Sequence, residues 1–254
     1  MLEIHRLPVR TDNYIWIARE PSSNAVAVID PADAEPVISK CMELGLHPTH
    51  ILNTHHHGDH TGGNLEVKEK FGCTVVGSVA DQARIPGIDI AVGDGDVFDL
   101  GDERADVFDV TGHTLGHIMY WFGNAKALFC GDTLFAMGCG RLSEGTADQM
   151  WVALSKFSTL PDDAEIYCAH EYTQANARFA LTIEPDNQDL QARAAKVDDM
   201  RAKDIPTIPS LLGDERMTNP FLRSDNPALK KAVGMIDSDA LDVFTQTRLR
   251  KDNF

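Results

Sequence analysis

The segment Thr54-His55-His56-His57-Gly58-Asp59-His60-Thr61-Gly62-Gly63 follows directly on the apolar run His50 to Asn53. It presents His55, His57, Asp59 and His60 within six residues, and imidazole and carboxylate groups are suitable ligands for zinc, iron or manganese. Four such groups, kept tight by Gly58, crowd severely around one ion. Two adjacent ions are the easier solution, and a single ion with several supporting residues is the geometric alternative. His113 in Val110-Thr111-Gly112-His113-Thr114, Asp132 in Phe129-Cys130-Gly131-Asp132-Thr133 and His170 in Cys168-Ala169-His170-Glu171 repeat the pattern. Each ends an apolar run, usually at a glycine, in a residue able to bind metal, and strand-end loops are where catalytic groups tend to sit. Any one of them alone would be read as a turn residue. Seven at strand ends predict one cluster with two metal positions roughly 3.5–4 Å apart.

The elements that must carry these loops are short β-rich runs: Tyr14 to Ala18, Ala25 to Ile29, His50 to Asn53, Thr74 to Val76, Ala105 to Val110, His117 to Phe122, Ala127 to Cys130 and Ile166 to Cys168. Gly, Pro, Asn and Asp bound them, as expected of strands. Helical patterns lie between, at Asp33 to Leu44, Asn64 to Phe71 and Ala147 to Ser158. The last opens with the capping-box sequence Thr146-Ala147-Asp148-Gln149 and puts Met150, Trp151, Leu154 and Phe157 on one face. A layered α/β domain over residues 1–170 is expected. From Glu171 onward strand patterns cease: Gln188 to Lys203 is polar and helix-prone, and Pro206, Pro209, Pro220 and Pro227 interrupt the stretch after it. Residues 171–254 therefore read as a helical appendage ending in Leu241 to Lys251.

Thirty-nine acidic against 23 basic residues give a net charge of −16, which argues against nucleic acid or an anionic membrane as partner. Such a field also repels an acidic substrate, so an anionic ligand needs a local cationic cluster or metal ions. Cys41, Cys73, Cys130, Cys139 and Cys168 are odd in number, scattered and without a C-x-x-C pair, so they read as reduced residues. Met1-Leu2-Glu3-Ile4-His5-Arg6 has no apolar signal core, and no run approaches the ~18 apolar residues of a membrane span. A cytoplasmic protein, monomeric by default, is expected.

The ligand pattern His-x-His-x-Asp-His followed by separate His, Asp and His resembles the metallo-β-lactamase superfamily. Within it the chain is similar to the hydroxyacylglutathione hydrolases, or glyoxalase II enzymes. The likeness extends over essentially the whole chain, through Thr54 to Gly63, Thr111 to His117, Gly131 to Arg141, Glu144 to Asp148, His170 to Thr173, Asn219-Pro220-Phe221 and Arg248 to Phe254. The superfamily motif is shared by many activities; the later segments are more specific. The resemblance implies a four-layer αββα sandwich with a smaller C-terminal helical domain. It also implies that His55, His57 and His113 bind one ion, that Asp59, His60 and His170 bind the other, and that Asp132 bridges them. Two divalent ions are the implied cofactors, zinc foremost, with iron or manganese as alternatives. The implied reaction is hydrolysis of S-D-lactoylglutathione and related 2-hydroxyacylglutathiones to glutathione and D-lactate or its analogues, which detoxifies methylglyoxal. The chemistry is consistent with the donors, because water between two divalent ions deprotonates near neutral pH and attacks the thioester. Asp59 and Asp132 offset the metal charge and orient that nucleophile, and the thiolate leaves with little proton donation.

Glutathione carries two carboxylates, which on so acidic a protein need a basic anchor. Arg248 and Lys251, three apart in a helical segment, share a face, and with Arg141 they match the family's glutathione-binding cations. Tyr172 matches a position at the glutathione pocket, with core packing as its other reading. Where the family often has an aromatic residue soon after the Arg141 position, this chain has Leu142 and Ser143. His56, between His55 and His57, points away from them in an extended segment. His117 reads equally as outer support for the metals or as core, and Cys139 as a structural turn. Within the same fold the competing activities are a one-iron persulfide dioxygenase, a lactonase and a tRNA-end nuclease. The full ligand set disfavours the first and the acidic charge the last. A silent metal-binding scaffold would tend to have lost ligands, and none is lost.

Overall fold

The computed structural model describes residues 1–254. Six strands in chain order make the first sheet: β1 (Glu3–Val9), β2 (Asn13–Glu20), β3 (Ala25–Ile29), β4 (His50–Leu52), β5 (Thr74–Ser78) and β6 (Ile90–Val92). β1 to β3 are antiparallel, while β3 to β6 run parallel. The parallel pairs need crossovers, supplied by α1 (Ala34–Leu44), then by the one-turn α2 (Gly58–Thr61) and α3 (Asn64–Phe71). Along β2 the pleat sends Tyr14, Trp16 and Ala18 into the larger core, whereas Ile15 and Ile17 join Val37 and Cys41 of α1 and Val67 of α3 in a second core. With both faces covered, the strand reads as an unbroken apolar run.

The second sheet is built from β7 (Val97–Leu100), β8 (Glu103–Asp109), β9 (Ile118–Phe122) and β10 (Ala127–Gly131), which together form an antiparallel meander. After β10 come a small hairpin, β11 (Leu134–Phe135) and β12 (Gly138–Cys139), and α4 (Ala147–Ser155). The chain then returns as β13 (Glu165–Cys168), parallel to β10. The sheets meet face to face. Trp16 sits edge-on to Tyr167 at 4.9 Å, its indole nitrogen donates to the Cys168 carbonyl at 3.0 Å, and the Tyr120 hydroxyl donates to the Asn53 carbonyl at 3.1 Å. Tyr120, Phe122, Phe129 and Ile29 are fully buried in this interface, each contributing about 1.5–3 kcal/mol by leaving water. α4 adds Met150, Ala153 and Leu154 to the same core. Its capping box forms as the sequence predicts, with Thr146 and Gln149 bonding reciprocally.

Beyond His170 lie α5 (Thr173–Ile183), α6 (Gln188–Arg201), a two-residue strand β14 (Ser210–Leu211), α7 (Leu212–Thr218), α8 (Pro227–Val233) and α9 (Ala240–Asp252). β14 pairs with β13 and forms the edge of the second sheet. It departs from an all-helical tail and is too short for any period to reveal. β1, β6, β7, β11 and β12 are likewise unanticipated; β1 carries Pro8 and charged residues, which an edge strand tolerates. The run from Ala147 to Ser158 is helical only to Ser155 and tightens into a 3-10 turn over Lys156–Thr159. Because β3 and β4 are parallel, and β8, β10 and β13 share a direction, the carboxyl ends of all five open on one edge of the sandwich.

Candidate metal centre

That edge gathers all seven donors named from the sequence. Past β4 the chain stays buried through Asn53, Thr54 and His55, and α2 then turns it back. The Asn53 amide donates to the His60 carbonyl at 3.0 Å and closes the loop. His57 Nδ1 lies 3.1 Å from both His55 Nε2 and His113 Nε2, so three ring nitrogens face one point. Asp59 Oδ2 lies 3.7 Å from His60 Nε2 and 3.6 Å from His170 Nε2. Asp132 stands between the two groups, with Oδ1 3.5 Å from His60 Nε2 and 3.4 Å from His170 Nε2, and Oδ2 3.5 Å from His113 Nε2. Gly131 makes this approach possible. Its φ is +49°, and a Cβ there would lie 2.3 Å from the Thr54 hydroxyl.

The donor set fits divalent cations. His60 Nε2 and Asp132 Oδ1 are buried without any hydrogen-bonding partner, a costly state for polar atoms unless something else satisfies them. The spacings agree, since donors at the ~2.1 Å bond lengths usual for such ions sit about 3.4 Å apart around a tetrahedron. Burial first, then the neighbouring imidazoles, hold His55 and His57 below the ordinary histidine range, leaving their lone pairs free. For Asp132 burial works upward, but His60, His170 and His113 outweigh it and keep the carboxylate ionised. His170 goes the other way: burial opposes its proton, while Asp132 and Asp12 pull it up to about 9.

Supporting contacts differ around the site. Asp30, at the end of β3, accepts from the Thr54 amide at 2.8 Å and hydroxyl at 2.7 Å, and lies 3.0 Å from His60 Nδ1. Asp12 Oδ1 is 2.8 Å from His170 Nδ1. Sequence reasoning overlooks both. Asp30 ends an apolar run just as Asp132 does and could have been found by that rule, whereas Asp12 lies in a turn with no signal. His117 is fully buried; its Nε2 accepts the Asp132 amide at 3.1 Å and its ring stacks on His55 at 4.5 Å, so it backs the centre without facing it. His56 points away as expected, with Nδ1 2.9 Å from the fully buried Asp81 carboxylate. Arg84 pairs with Asp81 and Glu144, and Glu144 accepts the Leu115 amide at 2.8 Å, tying the His57 and His113 loops together.

A cavity of about 730 Å³ opens from His57, Asp59 and Asp132 toward Arg141, Tyr172, Arg248 and Lys251. Tyr172 lies flat on the His170 ring at 4.7 Å and edge-on to Phe135 at 5.2 Å. Arg141 is exposed at the rim. Arg248, expected from the sequence to bind the substrate as a cation, is only 4% exposed. Its Nε and Nη2 donate to Asp252 Oδ1 at 3.1 and 2.8 Å, and its Nη1 donates to the Cys139 carbonyl at 3.0 Å. Lys251 stands over the Phe179 and Phe254 rings. Burial, with Arg248 and Arg178 nearby, lowers its amine to about 8. The Cys139 thiol is buried and pushed up by that burial, as a turn residue and not a nucleophile. All five cysteines are free and buried.

The β11–β12 hairpin forms one wall of this cavity and is gripped from the helical segment. Asn176 donates to the Ala136 carbonyl at 3.1 Å. Asn219 donates to the Phe135 and Gly138 carbonyls at 3.1 and 3.0 Å. The buried Glu215, paired with Arg193, accepts the Met137 amide at 2.8 Å.

Residues 11–170 match the profile of the metallo-beta-lactamase superfamily, and residues 171–254 match that of the hydroxyacylglutathione hydrolase C-terminus. The chain is 52% identical over 254 residues to the hydroxyacylglutathione hydrolase of Methylococcus capsulatus, covering 100% of this chain and 99% of that one. It is 53% identical over 253 residues to that of Rhodospirillum rubrum, with the same coverage. Its fold resembles the crystal structure of ETHE1 from Myxococcus xanthus, with a TM-score of 0.70 and 22% identity over 97% of this chain and 90% of the other.

Proposed function

The chain belongs to the hydroxyacylglutathione hydrolases of the metallo-β-lactamase superfamily, and on that footing we propose that it cleaves S-D-lactoylglutathione and related 2-hydroxyacyl thioesters to glutathione and the hydroxy acid. The observation that carries this reading is one cavity with a seven-donor cluster at one end and Arg141, Arg248 and Lys251 at the other. His55, His57 and His113 would hold one divalent ion, Asp59, His60 and His170 the second, and Asp132 both. Zinc suits the all-histidine group best. Such ions, when bound, supply a Lewis acid for the carbonyl and acidify water near neutral pH.

The chain's own groups supply the rest. Asp59 is held below the ordinary carboxylate range by His60 and the Asn13 amide, against the upward push of burial. It therefore stays anionic and accepts a hydrogen bond from the attacking water. Tyr172 fixes the His170 ring by stacking on it. Arg141 and Lys251 meet the glutathione carboxylates, while Arg248, already neutralised by Asp252, sets the shape and donor pattern between them. Water oxygen adds to the thioester carbon while giving up its protons to solvent, the carbon–sulfur bond breaks to leave the carboxylate, and the departing thiolate takes one proton back from solvent, so that one proton is released per turnover. Under this reading residues 1–170 hold the reacting carbonyl and residues 171–254 the thiol portion. No helix is long and apolar enough to cross a membrane. A cytoplasmic monomer is the proposed state, in keeping with five free thiols.

Purified protein with two metal equivalents should hydrolyse S-D-lactoylglutathione and discriminate against a neutral thioester lacking carboxylates. A loaded protein that cleaves a lactone but not the glutathione thioester would overturn the substrate assignment.

A further inference from the structure

The turn joining β1 to β2 is bound to the second donor group at several points. Asp12 Oδ1 lies 2.8 Å from His170 Nδ1, and the Asp12 carbonyl accepts the Glu171 amide at 2.9 Å. The next residue, Asn13, forms a backbone bridge with His170. The Asn13 side-chain amide reaches the Asp59 carbonyl at 3.2 Å and Asp59 Oδ2 at 3.4 Å. The turn is itself tethered: Arg10, at φ +53°, pairs with Asp33 at 2.9 and 2.8 Å and donates to the Ala32 carbonyl at 2.8 Å. Two consecutive residues, the last of the turn and the first of β2, thus hold two of the three donors of that group.

The other group is supported differently. His55 Nδ1 faces the Thr54 hydroxyl at 3.1 Å and His113 Nδ1 faces the Arg141 carbonyl at 2.8 Å, both neutral partners. Behind His170 and His60 stand the carboxylates of Asp12 and Asp30. A carboxylate behind a ligating imidazole fixes its tautomer and raises its donor strength. Asp30 is sealed in the core at 3% exposure. The Asp12 side chain is 34% exposed, so replacing it opens no buried cavity.

Resting on the two-metal reading above, we propose that Asp12 is a positioning residue for the Asp59–His60–His170 position, and that with Asn13 it sets the metal affinity of that position separately from the other. Competition against a chromophoric zinc chelator, on full-length protein, measures both affinities. Asp12→Ala should weaken one of two equivalents by roughly 10- to 100-fold, the usual cost of losing an outer partner, and leave the other unchanged. Asp12→Asn, which keeps the acceptor oxygen but not the charge, should fall between. The metal-free variant should still unfold in a single cooperative transition with unchanged far-ultraviolet circular dichroism. Unchanged binding of both equivalents, or equal weakening of both, overturns the proposal while the two-metal reading stands. A wild-type protein that binds fewer than two equivalents overturns both.

Discussion

Raising the pH from 7 to 9 removes the charge from Lys251. With its amine lowered to about 8, about nine molecules in ten carry the charge at pH 7 and about one in ten at pH 9. The groups around it are Arg248, Arg178, Asp252 and the Cys139 thiol, with burial the leading cause. A lysine with a lowered pKa is charged below about 8 and neutral above it, so attraction for a substrate carboxylate is present at pH 7 and lost upward. If only the charged form binds, kcat/KM for S-D-lactoylglutathione should fall about tenfold over this interval, because kcat/KM reports ionisations of the free enzyme. kcat should hold, since a bound carboxylate keeps the proton on the amine. Steady-state kinetics across this range, with a neutral thioester in parallel, separate Lys251 from the reacting centre, whose ionisations affect both substrates. Lys251→Arg should flatten the profile at a high value, the guanidinium being charged throughout, and Lys251→Met should flatten it at a low one. A wild-type profile that is level from pH 7 to 9, or a fall that persists in Lys251→Arg, refutes the argument.

Asp132→Ala should reduce turnover by orders of magnitude and lower the metal content from two equivalents to one or fewer, read by elemental analysis of dialysed protein. Arg248→Ala should raise KM for the glutathione thioester roughly 10- to 100-fold, because it removes the charge-assisted bonds to Asp252 and the Cys139 carbonyl that hold the pocket's shape, at about 1.5–3 kcal/mol each. It also leaves Asp252 unneutralised in the cavity, so Arg248→Ala with Asp252→Asn should recover part of the loss in the same assay. Gly116→Ala places a methyl 2.1 Å from Asp81 Oδ1 and should destabilise the protein by about 1–3 kcal/mol, seen as a lower urea midpoint.

The reacting end of the site was more legible in the sequence than its supports. His55, His57, Asp59, His60, His113, Asp132 and His170 each follow an apolar run, and a strand that ends in a polar, metal-binding residue is visible one run at a time. Asp12 follows an edge strand in which Pro8, Arg6 and His5 break the apolar pattern, and its partner His170 is 158 residues away, so neither local period nor spacing connects them. β6, β11, β12 and β14 have two or three residues each, below the length at which alternation can be recognised. Arg248 shows a different failure. Its charge and place on α9 could be read, but its pairing four residues on with Asp252 changes a free cation into a neutralised one, and an i,i+4 pair is as common on a solvated face as beside a ligand.

The gripped hairpin separates two tasks that the helical segment performs. α5, α7 and the residue after α7 hold the β11–β12 turn through Asn176, Glu215 and Asn219, whereas two of the three cations facing the thiol portion under the proposed assignment, Arg248 and Lys251, come from α9 and the third, Arg141, follows β12. α9 makes its hydrogen bonds to the hairpin through Arg248, at Cys139. Retargeting the enzyme to another thiol carrier then becomes a problem of one helix and Arg141: the cavity-facing side of α9 and that residue can be rewritten for a carrier of different charge while the three gripping residues keep the cavity wall, and with it the approach to the metals, in place. The same division makes amputation a poor route to a smaller catalyst. Cutting away the helices to widen access would strip partners from four hairpin carbonyls and a buried amide, and the wall would lose its shape along with its selectivity.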